Sequence, residues 1–192
     1  MKLGILLTSS LAVGGEYIEL TKLVSNKLAE QKIGIVYGGT EYGMMKELAV
    51  GYKNAGGPDL TGVMSRELES VTKNYKVFDG LDSIFWENKI VERTRKISDI
   101  SDGFIILPGG YGALEEMTSI IGGKVNKLHN KPIVLFNYNN FYDKFLLFLE
   151  EMHARSFSKI SFADVVYVCD DLDDALNYFK TYSSNIIPDK FV

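Results

Sequence analysis

Very little in this chain could cross-link it or ligate a metal. A single cysteine, Cys169, stands among 192 residues, so no intramolecular disulfide can form and a reducing compartment is expected. The two histidines, His129 and His153, lie far from each other and from any acidic ligand cluster, which argues against a zinc site. No second histidine or serine-centred elbow accompanies either, and no hydrolase triad is recognisable. Positive charge is not in excess either. The 21 Lys and Arg against 25 Asp and Glu leave a formal net charge of −4, which gives no electrostatic footprint for DNA or RNA. No apolar run approaches the length of a membrane span. The apolar run at the N-terminus is too short for the core of a signal peptide and reads better as a first strand. A cytoplasmic protein is expected, with neither a nucleic-acid nor a membrane partner.

What is present is ordinary in bulk and unusual in three loops. A hydrophobic content of 46% with 24% charged residues is that of a soluble globular protein. The length suits one domain with a sizeable core, assigned to 1–183, with 184–192 as a peripheral C-terminal tail. Short apolar runs at 3–8, 33–37, 60–64, 75–78, 103–107, 133–136 and 165–168 read as strands. Helical patterns fill 16–31, 44–54, 83–100, the stretch from Ala113, 141–153 and 171–182. In the first helix Ile18, Leu20, Leu23, Val24 and Leu28 are expected inward. Continuously apolar strands alternating with helices imply an α/β fold, a doubly wound, Rossmann-like parallel sheet with helices on both faces. Ligands of such sheets bind beyond the carboxyl ends of the strands.

All three unusual loops fall at that edge. The first strand is followed by Thr8-Ser9-Ser10, and the second by Gly38-Gly39-Thr40-Glu41-Tyr42-Gly43. The strand 103–107 runs into Pro108-Gly109-Gly110-Tyr111-Gly112-Ala113-Leu114-Glu115-Glu116. Glycines in such a turn let a ligand approach the backbone, and the helix that follows aims free N–H groups and its positive dipole end at it. A phosphate cradle with carboxylates one turn inside it points to chemistry on a phosphorylated small molecule. The alternative is structural: Ser9 and Ser10 can serve as caps, and a single glycine turn is common. The Walker pattern is absent, because no Gly-Lys-Ser/Thr follows either loop, and the dinucleotide fingerprint is missing its glycine spacing. Within Glu92-Arg93-Thr94-Arg95-Lys96 most cations belong to a solvated helix face, while one turned towards the pocket would pair with a phosphate or with Glu116.

Residues 35–45, Glu92-Arg93, and the stretch from Pro108 to Glu116 together resemble the LOG (Lonely Guy) family, and the resemblance covers nearly the whole chain. Its members are cytokinin riboside 5′-monophosphate phosphoribohydrolases, formerly labelled lysine decarboxylase-like. The resemblance implies removal of the base from a nucleoside 5′-monophosphate, AMP-like here, with no metal or organic cofactor. It implies Glu116 as the catalytic carboxylate, with Glu115 helping to hold the ribose or nucleotide. Arg93 becomes the catalytic arginine by an ungapped match; Arg95-Lys96 looks more like the family's Arg-Lys dipeptide but requires a deletion. Ser9, Ser10, Gly38, Gly39, Gly43, Gly109, Gly110, Tyr111, Gly112 and Ala113 would bind substrate or phosphate. Family members are dimers or larger, so a homo-oligomer is expected, a dimer favoured. The residues support this only through the aromatic segment around Phe141, Tyr142, Phe145 and Phe148, a pattern more often core than interface.

Several positions depart from the family pattern. Ala113 replaces the motif threonine, Thr40 and Lys46 replace glycines of the earlier loop, and Thr8 stands where glycine is usual. Gly122 and Gly123 occupy the place of a Thr-Trp pair. Losing a capping hydroxyl costs roughly 1 kcal/mol. These departures keep open a second reading, a nucleotide-binding or sensor protein without turnover. A lysine decarboxylase is a distant third, because nothing here resembles a pyridoxal phosphate lysine site.

Overall fold

Five of the strands are buried along almost their whole length, which requires cover on both faces of the sheet. The structure, a computed structural model, describes residues 1–184 and Ile187. In chain order the elements are β1 (Lys2–Leu6), α1 (Gly15–Glu30), β2 (Gly34–Tyr37), α2 (Gly43–Asn54), β3 (Leu60–Ser65), α3 (Arg66–Val71), β4 (Ser83–Glu87) and α4 (Ile90–Ile100). Then follow β5 (Gly103–Ile106), α5 (Tyr111–Val125), β6 (Ile133–Phe136), α6 (Asp143–Ala154), α7 (Phe162–Val165), β7 (Tyr167–Cys169) and α8 (Leu172–Thr181).

The seven strands form one sheet in the order β4-β3-β2-β1-β5-β6-β7, and every pairing is parallel. The order reverses between β1 and β5, and this switch point is where a doubly wound sheet opens a crevice. One core layer packs α1, α2 and α8 on the sheet through Leu20, Val24, Leu28, Leu48, Tyr52 and Leu176. The other packs α4, α5 and α7 through Ile97, Met117, Ile120 and Val165. The tail expected over 184–192 lies, apart from Ser184 and Ile187, outside the described residues; Ile187 is buried in the second layer.

Some boundaries fall elsewhere than the sequence pattern put them. The helix expected over 83–100 is two elements: Ser83–Glu87 is the edge strand β4, paired with β3, and α4 starts only at Ile90. Ile, Phe and Trp in succession favour a strand, and an edge strand lacks the continuous burial that would have marked it. The stretch 75–78 makes a single antiparallel bridge, Thr40 to Val77, and no strand. Leu23, expected inward on α1, is 57% exposed. At the C-terminal side Phe162–Val165 is helical, so the last strand begins at Tyr167.

Candidate active site

The loops after β1, β2 and β5 meet at the switch point, as parallel strands dictate. They line a cavity of about 430 Å³ together with α3, α4 and α5. Thr8, Ser9, Gly110, Tyr111, Gly112, Ala113, Arg93, Glu115 and Glu116 all border it. Ser10 and Gly109 instead line a neighbouring cleft of about 240 Å³, which shares Thr8 and Gly110 with the first. The β1 loop is held by its own hydroxyls: Thr8 Oγ1 accepts the Ser10 N–H at 3.1 Å, and Ser10 Oγ accepts that of Ala12 at 3.3 Å.

Gly38, Gly39 and Gly43 line neither cavity, and two of them matter through close packing. A Cβ at Gly38 would collide with the Arg93 guanidinium. Gly43 has φ +52° and lies against the backbone of Ser9 and Ser10, where any side chain would be both strained and blocked. These glycines shape the site from behind.

At the floor of the cavity Arg93 and Glu116 form an ion pair, 6% and 3% exposed. Arg93 Nη1 donates to Glu116 Oε1 at 2.7 Å, and its Nε donates to the Val63 carbonyl at 2.8 Å. The guanidinium thus ties α4 to both β3 and α5. Arg95, two residues on, is solvent-exposed and lies 3.8 Å from Asp99, so of the two arginines it is Arg93 that reaches Glu116. Burial raises the Glu116 pKa above the ordinary carboxyl value; Arg93 opposes this and the adjacent Glu115 adds to it. Glu115 is exposed and accepts a hydrogen bond from Thr94 Oγ1 at 3.1 Å.

The α5 N-terminus opens onto this pair. Gly110 occupies the N-cap without a side-chain cap, so the first N–H groups of α5 are left for another partner. Ala113, where a motif threonine would stand, is buried against Gly109. Residues that sequence reasoning missed also border the cavity: Leu68, Tyr75 and Ile90, with Thr94 behind Glu115. None belongs to a motif; only its place next to Arg93 could have drawn attention to Thr94. Among the described residues no group of three or more His, Cys, Asp or Glu could hold a metal ion.

A parallel sheet with a glycine-rich helix N-terminus and a buried arginine–carboxylate pair at its switch point defines a Rossmann-like α/β protein. The chain belongs to the LOG family: the profile described as "Possible lysine decarboxylase" matches residues 44–179. It is 29% identical over 163 residues to the cytokinin riboside 5′-monophosphate phosphoribohydrolase of Rhodococcoides fascians, covering 85% of this chain and 81% of that one. Identity is 32% over 136 residues to the cytokinin riboside 5′-monophosphate phosphoribohydrolase LOG of Oryza sativa subsp. japonica, covering 70% of this chain and 54% of the rice protein. The chain therefore spans about half the length of that plant relative. In fold it is similar to the molybdenum cofactor binding protein of Rippkaea orientalis, with a TM-score of 0.68 at 18% identity over 94% of this chain and 95% of the other.

Proposed function

We propose that this protein hydrolyses the N-glycosidic bond of a nucleoside 5′-monophosphate, giving free base and ribose 5-phosphate. The observation that carries the reading is the Arg93–Glu116 pair buried beside an uncapped helix N-terminus in one cavity. Relatives named as phosphoribohydrolases over most of the chain support it.

The phosphate is received by the α5 N–H groups with Thr8 and Ser9, which leaves the ribose over Glu115 and Glu116. As the C1′–N bond breaks, its electron pair leaves with the base and positive charge develops on the ribose. A carboxylate beside C1′ stabilises that charge and orients the attacking water, which supplies the hydroxyl of ribose 5-phosphate and the proton for the base. Glu116 takes this role. Arg93 fixes the Glu116 carboxylate on the face turned to the cavity and favours its charged form, in opposition to the larger effect of burial. Glu115, braced by Thr94, holds the ribose hydroxyls. The cavity is completed or flanked by a second copy of the chain, as expected for a homo-oligomer.

A panel of nucleoside 5′-monophosphates, followed for free base and ribose 5-phosphate by chromatography, tests the reading. Release from at least one nucleotide, abolished in Glu116→Ala with the fold unchanged, is the expected result; turnover that survives the substitution sinks the assignment. The second reading, a nucleotide sensor, is favoured by Ala113, which puts a methyl group where the motif threonine would place a hydroxyl on the first turn of α5. Tight nucleotide binding without product would select it.

A further inference from the structure

Tyr75 lies outside every motif, yet it borders the same cavity as Arg93 and Glu116. It sits on the strap that joins α3 to β4, and that strap is fastened down on the loop after β2. Glu41 N–H donates to the Lys76 carbonyl at 3.2 Å and Phe78 N–H to that of Gly39 at 2.9 Å. Tyr42 Oη donates to the Asn74 carbonyl at 2.5 Å. The ring is fixed from two further sides. Its hydroxyl accepts the Ser65 N–H at 3.3 Å, and it meets Trp86 edge-on with centroids 6.4 Å apart. Trp86 in turn lies under the Arg66 guanidinium, 3.8 Å from its centroid. An aromatic side chain held this way presents a rigid surface to whatever fills the cavity.

Strand order decides what reaches it. Crossing the crevice from β5 through β1 and β2 to β3, the lining changes from the α5 N-terminus, through Thr8 and Ser9, to Thr40 and Met45, and ends at Leu68 and Tyr75. Three strand steps span about 14 Å. One end offers free N–H groups and a helix dipole; the other presents Leu68 and Tyr75 beside the Arg93 guanidinium, which is taken up by the Val63 carbonyl and Glu116. A nucleoside 5′-monophosphate has the same order built in: phosphate, ribose, base. With its phosphate at α5 and its glycosidic carbon at Glu116, the base is left for the Tyr75 end. Polar groups there are turned elsewhere, since Thr40 Oγ1 donates to Met45 Sδ at 3.2 Å and the Tyr75 hydroxyl is drawn to Ser65.

We infer that Tyr75 is the specificity-determining wall for the leaving base. A planar base lies against its ring, and base area rather than hydrogen-bonding pattern sets the preference, purine over pyrimidine. The inference rests on the nucleotide reading above and adds the residue that selects the base.

The test compares the parent protein with Tyr75→Leu and Tyr75→Phe, using AMP and CMP as substrates and ribose 5-phosphate binding by calorimetry. Tyr75→Leu should raise KM for AMP about tenfold, the scale of one lost base–aromatic stack, with kcat changed far less. It should narrow the AMP to CMP ratio and leave ribose 5-phosphate affinity unchanged, because that product carries no base. Tyr75→Phe should behave as the parent. An unchanged KM for AMP in the leucine variant overturns the inference. So does an equal loss of AMP and ribose 5-phosphate affinity, which would make Tyr75 a prop for the strap. If the parent releases no base from any nucleotide, the hydrolase reading fails on its own. The calorimetric Kd for AMP then replaces KM, with the same tenfold loss expected.

Discussion

Arg93 leaves the first turn of α4 with its guanidinium already committed, Nε to the Val63 carbonyl and Nη1 to Glu116. Two charges this deeply buried are expensive to desolvate, and their attraction offsets that cost only while both are present. Arg93→Ala is therefore expected to lower unfolding free energy by about 3 kcal/mol, read from the urea midpoint at unchanged m. Arg93→Lys should recover only part of this, since an ammonium cannot replace the two directed donors of the fork. A loss below about 1 kcal/mol would mean that Glu116 takes up a proton and becomes neutral once its partner is gone. Both partners could be read from the sequence because each lies in or near a motif. Thr94 and Tyr75 could not be. The first acts only through Glu115 on another helix, and the second depends on a strap whose fastening is tertiary.

Among the elements, α4 and α5 are joined at the site and finished at their far ends by one short loop. Lys131 Nζ donates to the carbonyls of Ser98 and Asp99 at 2.6 and 3.1 Å, satisfying the last turn of α4. His129 Nε2 lies 2.9 Å from the Ile120 carbonyl, while its Nδ1 accepts the Lys131 N–H at 3.3 Å. That pattern needs a neutral ring with the proton on Nε2. Burial holds the His129 pKa below 6.5, and the cations Lys131 and Lys124 act in the same direction; the Ile120 carbonyl opposes them. In the unfolded chain the ring takes a proton near its ordinary value. Its contribution is therefore complete above pH 6.5 and is lost as pH falls from there through the lowered value. Thermal melts below pH 6.5 should show the midpoint falling in the parent and a flatter dependence in His129→Gln. Parallel falls would assign the effect to carboxylates elsewhere. The elements themselves were legible where burial is continuous, as in β1, β2, β5 and β6. The exposed edge strand β4 was not, because its apolar residues happen to continue the spacing of α4.

For the whole molecule, the aromatic segment after β6 divides between interior and surface. Tyr142 is 2% exposed, with its hydroxyl donating to the Leu107 carbonyl at 2.8 Å, whereas Phe148 is 61% and Phe157 82% exposed. No residue of α6 is fully buried. Exposed apolar area of this kind is a common mark of association. Sedimentation velocity is expected to return at least twice the mass of one chain at micromolar protein, and a monomer would remove the homo-oligomer from the proposal. The order of the sheet has a different consequence, one that concerns time. β1 pairs with β5, and the Lys2 N–H donates to Asp102 Oδ2 at 2.7 Å across 100 positions of chain. Such distant pairings carry a high loop-closure cost and form late. On the ribosome the first four strands can join one another through local βα units as they emerge. Arg93 then waits without its carboxylate until α5 has been synthesised and β5 has docked beside β1. The nascent chain therefore acquires this cavity in one closing step, with only about half of its buried apolar residues preceding β5 in the chain.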